Sequence, residues 1–432
     1  MEPSSTSKID WSSLWRKEDW WAVWLGFISL ALVAAGLVRW LPKIGSWAAD
    51  ITKAFLAGPE PYVILLLFLL ILSIIGIMGM KENTKSFALG FPVVFLLAFL
   101  SLLIAKQETI GKTYGLEFAI WALLLGLVIN NTVGTPKWLQ GAARTELFIK
   151  IGLVMLGAEI LFQNILVAGA YGMIQAVVVV VVVFYFSYLI ATRVFKIDRH
   201  FAAILSTGVS ICGVSAAIAA GGAIRGNPKH VSYTVSLVLL LAVPMLIFMP
   251  FIARALGLSD VVAGAWLGGT IDTTPAVVAA GALYSQTAMQ IASIVKLSQN
   301  VLIGVAAFVM ALYFALKVDD RHAHTRVSPL EIWYRFPKFV LGFILASLVF
   351  SLLLVPALGS KAVNEMVGTI GGLRSWWFAL AFVSIGLGTN FKELVKTGKG
   401  KPLISFTIAQ IFNIILVLIV AQVIFGGYQL PK

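Results

Sequence analysis

A single cysteine, Cys212, occurs in the 432 residues, which excludes an intramolecular disulfide and a four-cysteine metal site. Histidine is nearly as scarce. His200, His230, His322 and His324 are the only four, and all fall between long apolar runs, so no His/Asp/Glu metal motif reaches the middle of a run. No GxxxxGK[ST] phosphate loop is present, so ATP coupling within the chain is not expected. An intramembrane enzyme needs a nucleophile and a base at depth, and Cys212 or Ser210 without an embedded histidine supplies only half of that. Charge is the last scarcity: 12% of residues are charged, against about 25% in soluble domains. The polar start MEPSSTSKIDWSSLWRKEDW has no signal-peptide pattern, and no cleavage is expected there.

What the chain has instead is apolar length. It is 60% hydrophobic, with a mean hydropathy of +0.96. A spanning helix needs about 20 mostly apolar residues. Thirteen stretches qualify: 21–38, 62–80, 87–105, 115–133, 145–166, 170–192, 201–222, 232–256, 261–283, 289–316, 336–358, 365–388 and 402–426. The expectation is an all-α polytopic membrane protein with about 13 transmembrane helices, its first partner the lipid bilayer. The net charge of +13 is read as basic cytoplasmic loops and not as a nucleic-acid surface. With the N-terminus inside, inside segments hold 20 Lys and Arg and outside segments hold 10. That bias predicts a multi-pass cell-membrane protein with a cytoplasmic N-terminus.

Three short internal matches appear in the same order. INNTVGTP (129–136) matches GGTIDTTP (268–275), FIKIGLVMLG (148–157) matches IVKLSQNVLIG (294–304), and TGVSICGVS (207–215) matches AFVSIGLGT (381–389). They fall in the first, second and fourth of five successive spans in each half. An odd repeat must enter the membrane from the opposite side, which is a transporter signature. The expected organisation is therefore a cytoplasmic segment 1–20, three N-terminal helices within 21–114, inverted repeat one over 115–257 and inverted repeat two over 258–428. The N-terminal helices leave a homodimer open.

The seventh span contains STGVSICGVS, with Ser206, Thr207, Gly208, Ser210, Gly213 and Ser215 at the depth where lipid tolerates irregular backbone least. Close packing of small residues is one reading. The other is a broken helix lining a binding site, faced by a broken twelfth span at Ser384, Gly386 and Gly388. A new helix N-terminus at such a break favours an anion. Lys150 and Lys296 sit at matching places, each roughly 10 Å into its span at 1.5 Å per residue. Snorkelling or a cavity-facing cation fits each. Gln299 and Asn300 follow Lys296 and can bind a polar ligand or a neighbouring helix. Asp272, a lone acid among Thr270, Thr273 and Thr274, is the candidate proton or sodium site; a structural cap is the alternative. Asn130 and Asn131 stand near the equivalent place in the first repeat. Glu159, at the outer end of the fifth span, is expected to reach water.

TGVSICGVSAAIAAGGAI, GGTIDTTPAVVAAG and VKLSQNVLIG together resemble the YeiH-type sulfate exporter family over about residues 120–426. The resemblance implies a distant kinship to sodium/proton antiporters and bile-acid symporters, hence two inverted five-helix repeats with crossing broken helices, and an anion, sulfate or a sulfur-containing or organic one, as substrate. The function expected is a secondary transporter of a small anion, coupled to a proton or sodium, with no cofactor and no enzymatic step. An anion channel is the alternative, and an intramembrane enzyme a more distant one.

Overall fold

The computed structural model describes residues 11–56, 58–113, 117–317, 330–392 and 400–427. These are helical throughout, with two isolated β-bridges and no strand among the described residues. Among the described residues the α-helices of six residues or more are α1 (Glu18–Ala34), α2 (Glu60–Gly79), α3 (Thr84–Ala105), α4 (Phe118–Thr132), α5 (Thr145–Gly157), α6 (Phe162–Leu189), α7 (Arg199–Ser210), α8 (Gly213–Ala223), α9 (Pro228–Ala255), α10 (Asp260–Thr270), α11 (Thr274–Tyr284), α12 (Gln286–Lys317), α13 (Leu330–Arg335), α14 (Lys338–Leu348), α15 (Ser360–Gly388) and α16 (Lys401–Phe425). Among the described residues, eight helical segments are long and apolar enough to cross a membrane. The protein is thus a multi-pass membrane protein. His322 and His324, and the first ten residues, lie outside the described residues.

The chain divides into two compact units. Of the described residues, one unit holds those within 12–166 and 338–390, and the other holds residue 11 and those within 167–317, 330–337, 391–392 and 400–427. Their boundaries do not coincide with the expected repeat boundaries at 114 and 257.

In the first unit α15 is a single continuous helix of 29 residues. It approaches α4 backbone to backbone: a Cβ on Gly126 would stand 2.7 Å from Leu387 N, and one on Gly386 would stand 2.6 Å from Leu127 N. Glycine is required at both positions by that approach. Of the break expected at Ser384–Thr389 the structure shows only the far end: the helix runs unbroken to Gly388, and Thr389 is extended. The Ser384 hydroxyl bonds back to Leu380 O within the helix, and Gly388 is simply the last helical residue.

In the second unit the expected seventh and ninth spans are not single helices. Each is a hairpin of two short helices, too short singly to cross a membrane. Had 199–226 continued as one helix, Ile204 and Gly226 would lie about 33 Å apart. Instead a Cβ on Gly226 would stand 2.7 Å from Ile204 Cδ1, and Ala203 and Ile204 pack with Ala217, Ala220 and Ile224. The first hairpin is α7–α8. Asp198 caps α7 by accepting from His200 N and Phe201 N, and the tip is Ile211 and Cys212, whose extended or irregular dihedrals end one helix before Gly213 begins the next. The second hairpin is α10–α11. Ser259 caps α10, Pro275 occupies the first turn of α11, where its missing N–H costs nothing, and the base closes where the Tyr284 hydroxyl donates to Leu258 O.

The hairpins enter from opposite ends. The base of the first lies at the start of α9, where Phe201 stacks on His230 with centroids 4.2 Å apart. The base of the second lies at the far end of α9, where Arg254 Nη2 donates to Leu283 O at 2.7 Å and Tyr284 O at 3.1 Å. The 28 residues of α9 separate those ends by about 42 Å. Half-helices of 11 or 12 residues reach about 17 Å each. Two meeting tip to tip therefore match the roughly 30 Å hydrocarbon slab.

Candidate functional site

The tips touch: Gly213 N donates to Asp272 O at 2.7 Å. Each tip creates two kinds of helix end. The C-termini of α7 and α10 leave carbonyls without intrahelical partners, which at membrane depth cost several kcal/mol each if unsatisfied. Side chains from α12 and α16 satisfy them. Lys296 Nζ donates to Ile211 O at 2.7 Å and to Gln299 Oε1 at 2.9 Å. Gln299 Nε2 donates to Ser210 O and Gly269 O, both at 3.2 Å. Gln410 Nε2 reaches Thr270 O at 3.1 Å, and Asn413 Nδ2 reaches the same oxygen at 3.2 Å. The N-termini of α8 and α11 are treated differently: Cys212 and Thr273 stand at the capping positions, and neither provides a side-chain cap.

Two buried charges sit at this junction. Asp272 and Lys296 are each 1% exposed, and each lies within the electrostatic reach of the other. Around them many polar atoms lack partners. Among the described residues, Ser210 Oγ, Thr270 Oγ1, Asp272 Oδ2, Asn300 Oδ1, Gln410 Oε1 and Asn413 Oδ1 are buried without a hydrogen bond. Buried polar groups are ordinarily paired with protein or ordered water, so these six oxygens, on elements that meet at two hairpin tips, mark the most polar buried place in that part of the fold. No group of three His, Cys, Asp or Glu able to hold a metal occurs among the described residues.

The structure gathers part of the expected site and disperses the rest. Ser210, Gly213, Thr270, Asp272, Thr273, Thr274, Lys296, Gln299 and Asn300 come together at the tips, with Asn300 Nδ2 donating to Thr274 Oγ1 at 3.0 Å. Ser206 and Thr207 lie about a turn back, where Ser206 bonds Ser187 on α6 and Thr207 bonds Ala203 O and Met310. Gly208 packs on Thr234, and Ser215 is exposed.

Lys150 belongs to the other unit, as do Ser384, Gly386, Gly388, Asn130 and Asn131. Lys150 is no counterpart of Lys296. It stands among three carboxylates, 2.9 Å from Glu18, 2.9 Å from Asp19 and 3.4 Å from Glu146, so its charge is already neutralised. Asn130 accepts from Thr135 N, and Asn131 donates to Leu127 O and Thr389 O; both hold the loop after α4. Glu159 does not snorkel to water but pairs with buried Arg374.

Sequence reasoning missed Gln410 and Asn413, although two amides three residues apart in FTIAQIFNIILVL share one helix face. It also missed the better internal match. SICGVSAAIAAGGA (210–223) and TIDTTPAVVAAGAL (270–283) align over their whole length, sharing Ile211 with Ile271, Ala216 with Ala276, Ala219 with Ala279, Ala220 with Ala280 and Gly221 with Gly281. Cys212 thereby occupies the place of Asp272.

A family model described as conserved hypothetical protein 698 matches residues 89–406. A UPF0324 membrane protein of Rhodopirellula baltica is 42% identical over 398 residues, covering 91% of this chain and 73% of the relative. One of Nitratidesulfovibrio vulgaris is 40% identical over 401 residues, covering 89% of this chain and 69% of the relative. One of Nitrosomonas europaea is 32% identical and covers 94% of both chains. No solved structure matches.

Proposed function

We propose a function for a chain that belongs to the conserved hypothetical protein 698 family, the UPF0324 membrane proteins: ion-coupled secondary transport of a small anion, sulfate or a chemically similar one. The observation that carries this reading is the meeting of two opposed re-entrant hairpins around buried Asp272 and Lys296. Irregular backbone at membrane depth is tolerated where protein or a cavity encloses it, and transporters place substrate where interrupted helices meet at the midplane.

The anion preference follows from charge. The N-termini of α8 and α11 converge on the tips, and each brings roughly half a positive charge. Lys296 adds a full charge. Its ammonium has three donors, of which two are used, so one remains for a ligand oxygen. Asp272 offsets that charge when ionised and carries the coupling ion. A cytoplasmic N-terminus fits this arrangement: with the first hairpin re-entrant, Arg225 and Lys229 join the side of Arg199, while Arg254 moves to the opposite side, which deepens the basic bias.

The test is flux. Protein reconstituted in liposomes should take up an anion saturably when a proton or sodium gradient is imposed, across a panel of sulfate, thiosulfate, phosphate and small carboxylates and sulfonates. Absence of saturable, gradient-dependent flux for every member of that panel would overturn the reading.

A further inference from the structure

We propose that Thr270, Asp272, Gln410 and Asn413 form a site for one alkali cation, sodium, alongside the anion position. The inference rests on the hairpin junction being the transport site, and it names the coupling ion there.

The argument starts from the orientation of two amides. Gln410 Nε2 and Asn413 Nδ2 both donate to Thr270 O. Turning either amide over would set oxygen against oxygen, so the observed orientation is fixed by the carbonyl. Their oxygens, Gln410 Oε1 and Asn413 Oδ1, are consequently acceptors for something else, and neither has a partner. Thr270 Oγ1 and Asp272 Oδ2 are in the same state. Gln410 also lies in hydrogen-bonding reach of Asp272. All four residues are at most 3% exposed, so bulk water does not solvate them. Gln410 and Asn413 are tied to Thr270 O, and Asp272 lies two residues from Thr270, which brings the four residues to one hairpin tip.

A proton on Asp272 could donate to one amide oxygen and would leave the other without a partner. A cation ligated by oxygen satisfies several at once. Neutral oxygens with one carboxylate suit a monovalent ion, since sites for calcium draw on several carboxylates and softer metals take thiolate or imidazole. The junction is also tight. A Cβ on Gly269 would stand 2.8 Å from Val417 Cγ1, and the comparison of sodium with potassium decides which alkali ion the site takes. Loading sodium would screen the Asp272 charge from Lys296 and leave the ammonium to the anion, so the two ions should raise each other's affinity reciprocally.

Thermal unfolding of the full-length protein in detergent tests this, with sodium, potassium or choline chloride at constant ionic strength. Sodium should raise the midpoint saturably by about a few degrees, and potassium and choline should not. Asn413→Ala and the near-isosteric Thr270→Val should each lose the sodium shift; Thr270→Val covers the case in which Asn413→Ala does not fold. Lys296→Met should keep the sodium shift while losing the further shift that sulfate adds to it. Equal midpoints in sodium and choline, an equal effect of potassium, or a sodium shift intact in both oxygen-removing variants would overturn the cation site. A sulfate shift without a sodium shift would reject the cation site alone, and a sodium shift with no response to any anion of the panel would reject the anion reading alone.

Discussion

Replacing Lys296 by methionine keeps most of the apolar stem and removes the charge and two hydrogen bonds. The carbonyl of Ile211 and the amide oxygen of Gln299 each lose a donor, at about 1–3 kcal/mol for every buried group left unsatisfied. Asp272 additionally loses its compensating charge, and an unpaired buried ion costs about 3–5 kcal/mol unless it protonates. The single variant should therefore be less stable by about 5–11 kcal/mol, or by about 2–6 kcal/mol where Asp272 protonates, and Lys296→Met combined with Asp272→Asn should recover the charge part of that loss. Anion affinity should fall further than stability alone explains. Truncating one partner of a buried charge pair costs about 2–5 kcal/mol in binding, or roughly thirty-fold to a few thousand-fold at 1.4 kcal/mol per decade. The double variant should stay weak, because restoring charge balance does not restore the donor. Isothermal titration with sulfate, beside denaturant unfolding of the same samples, separates the two effects. Full sulfate affinity in Lys296→Met would refute the assignment of Lys296 to the anion, and a double variant as unstable as the single would refute its charge pairing with Asp272.

Lys150→Met should destabilise the unit that contains it by about 3–5 kcal/mol, because Glu18, Asp19 and Glu146 would lose their shared cation; sulfate affinity of the folded fraction should not change, and titration checks it. Arg335→Ala removes the guanidinium that donates to Ala219 O at 2.6 Å. A hydrogen bond to a charged group is worth about 1.5–3 kcal/mol, so amides of α8 should exchange with deuterium roughly tenfold to a hundredfold faster, read by mass spectrometry. Cys212 is the only cysteine and sits at the first tip, so the unmodified protein carries its own probe. A membrane-permeant maleimide should block flux, and sulfate should slow the labelling.

Much of this site was legible residue by residue, and its architecture was not. Asp272 and Lys296 announce themselves as charges in apolar runs, and the small polar residues from Ser206 to Ser215 announce irregular backbone. Hydropathy, however, measures apolar length and not direction: 22 or 23 enclosed apolar residues read the same whether the chain crosses or turns back at Cys212 or Asp272. What distinguishes the hairpins is their filling. AAIAAGGA and AVVAAGAL are small-residue helices that pack on neighbours such as Ile204, Val231 and Met289, whereas lipid-facing helices such as α6 present Val177, Val181 and Tyr185 outward. Lys150 misled because its acidic partners are far away in sequence: Glu18 and Asp19 lie on α1, about 130 residues before it, and only the fold brings them together.

Counterflow tests the central claim most directly. Liposomes containing the protein and loaded with unlabelled sulfate are diluted into a trace of radiolabelled sulfate, with no other gradient. A carrier whose site at the hairpin tips alternates between the two sides should accumulate label transiently above its equilibrium level, and Lys296→Met liposomes should not. Label that rises monotonically to equilibrium would mark a channel, and label that does not enter at all would contradict sulfate transport at Lys296 and Asp272.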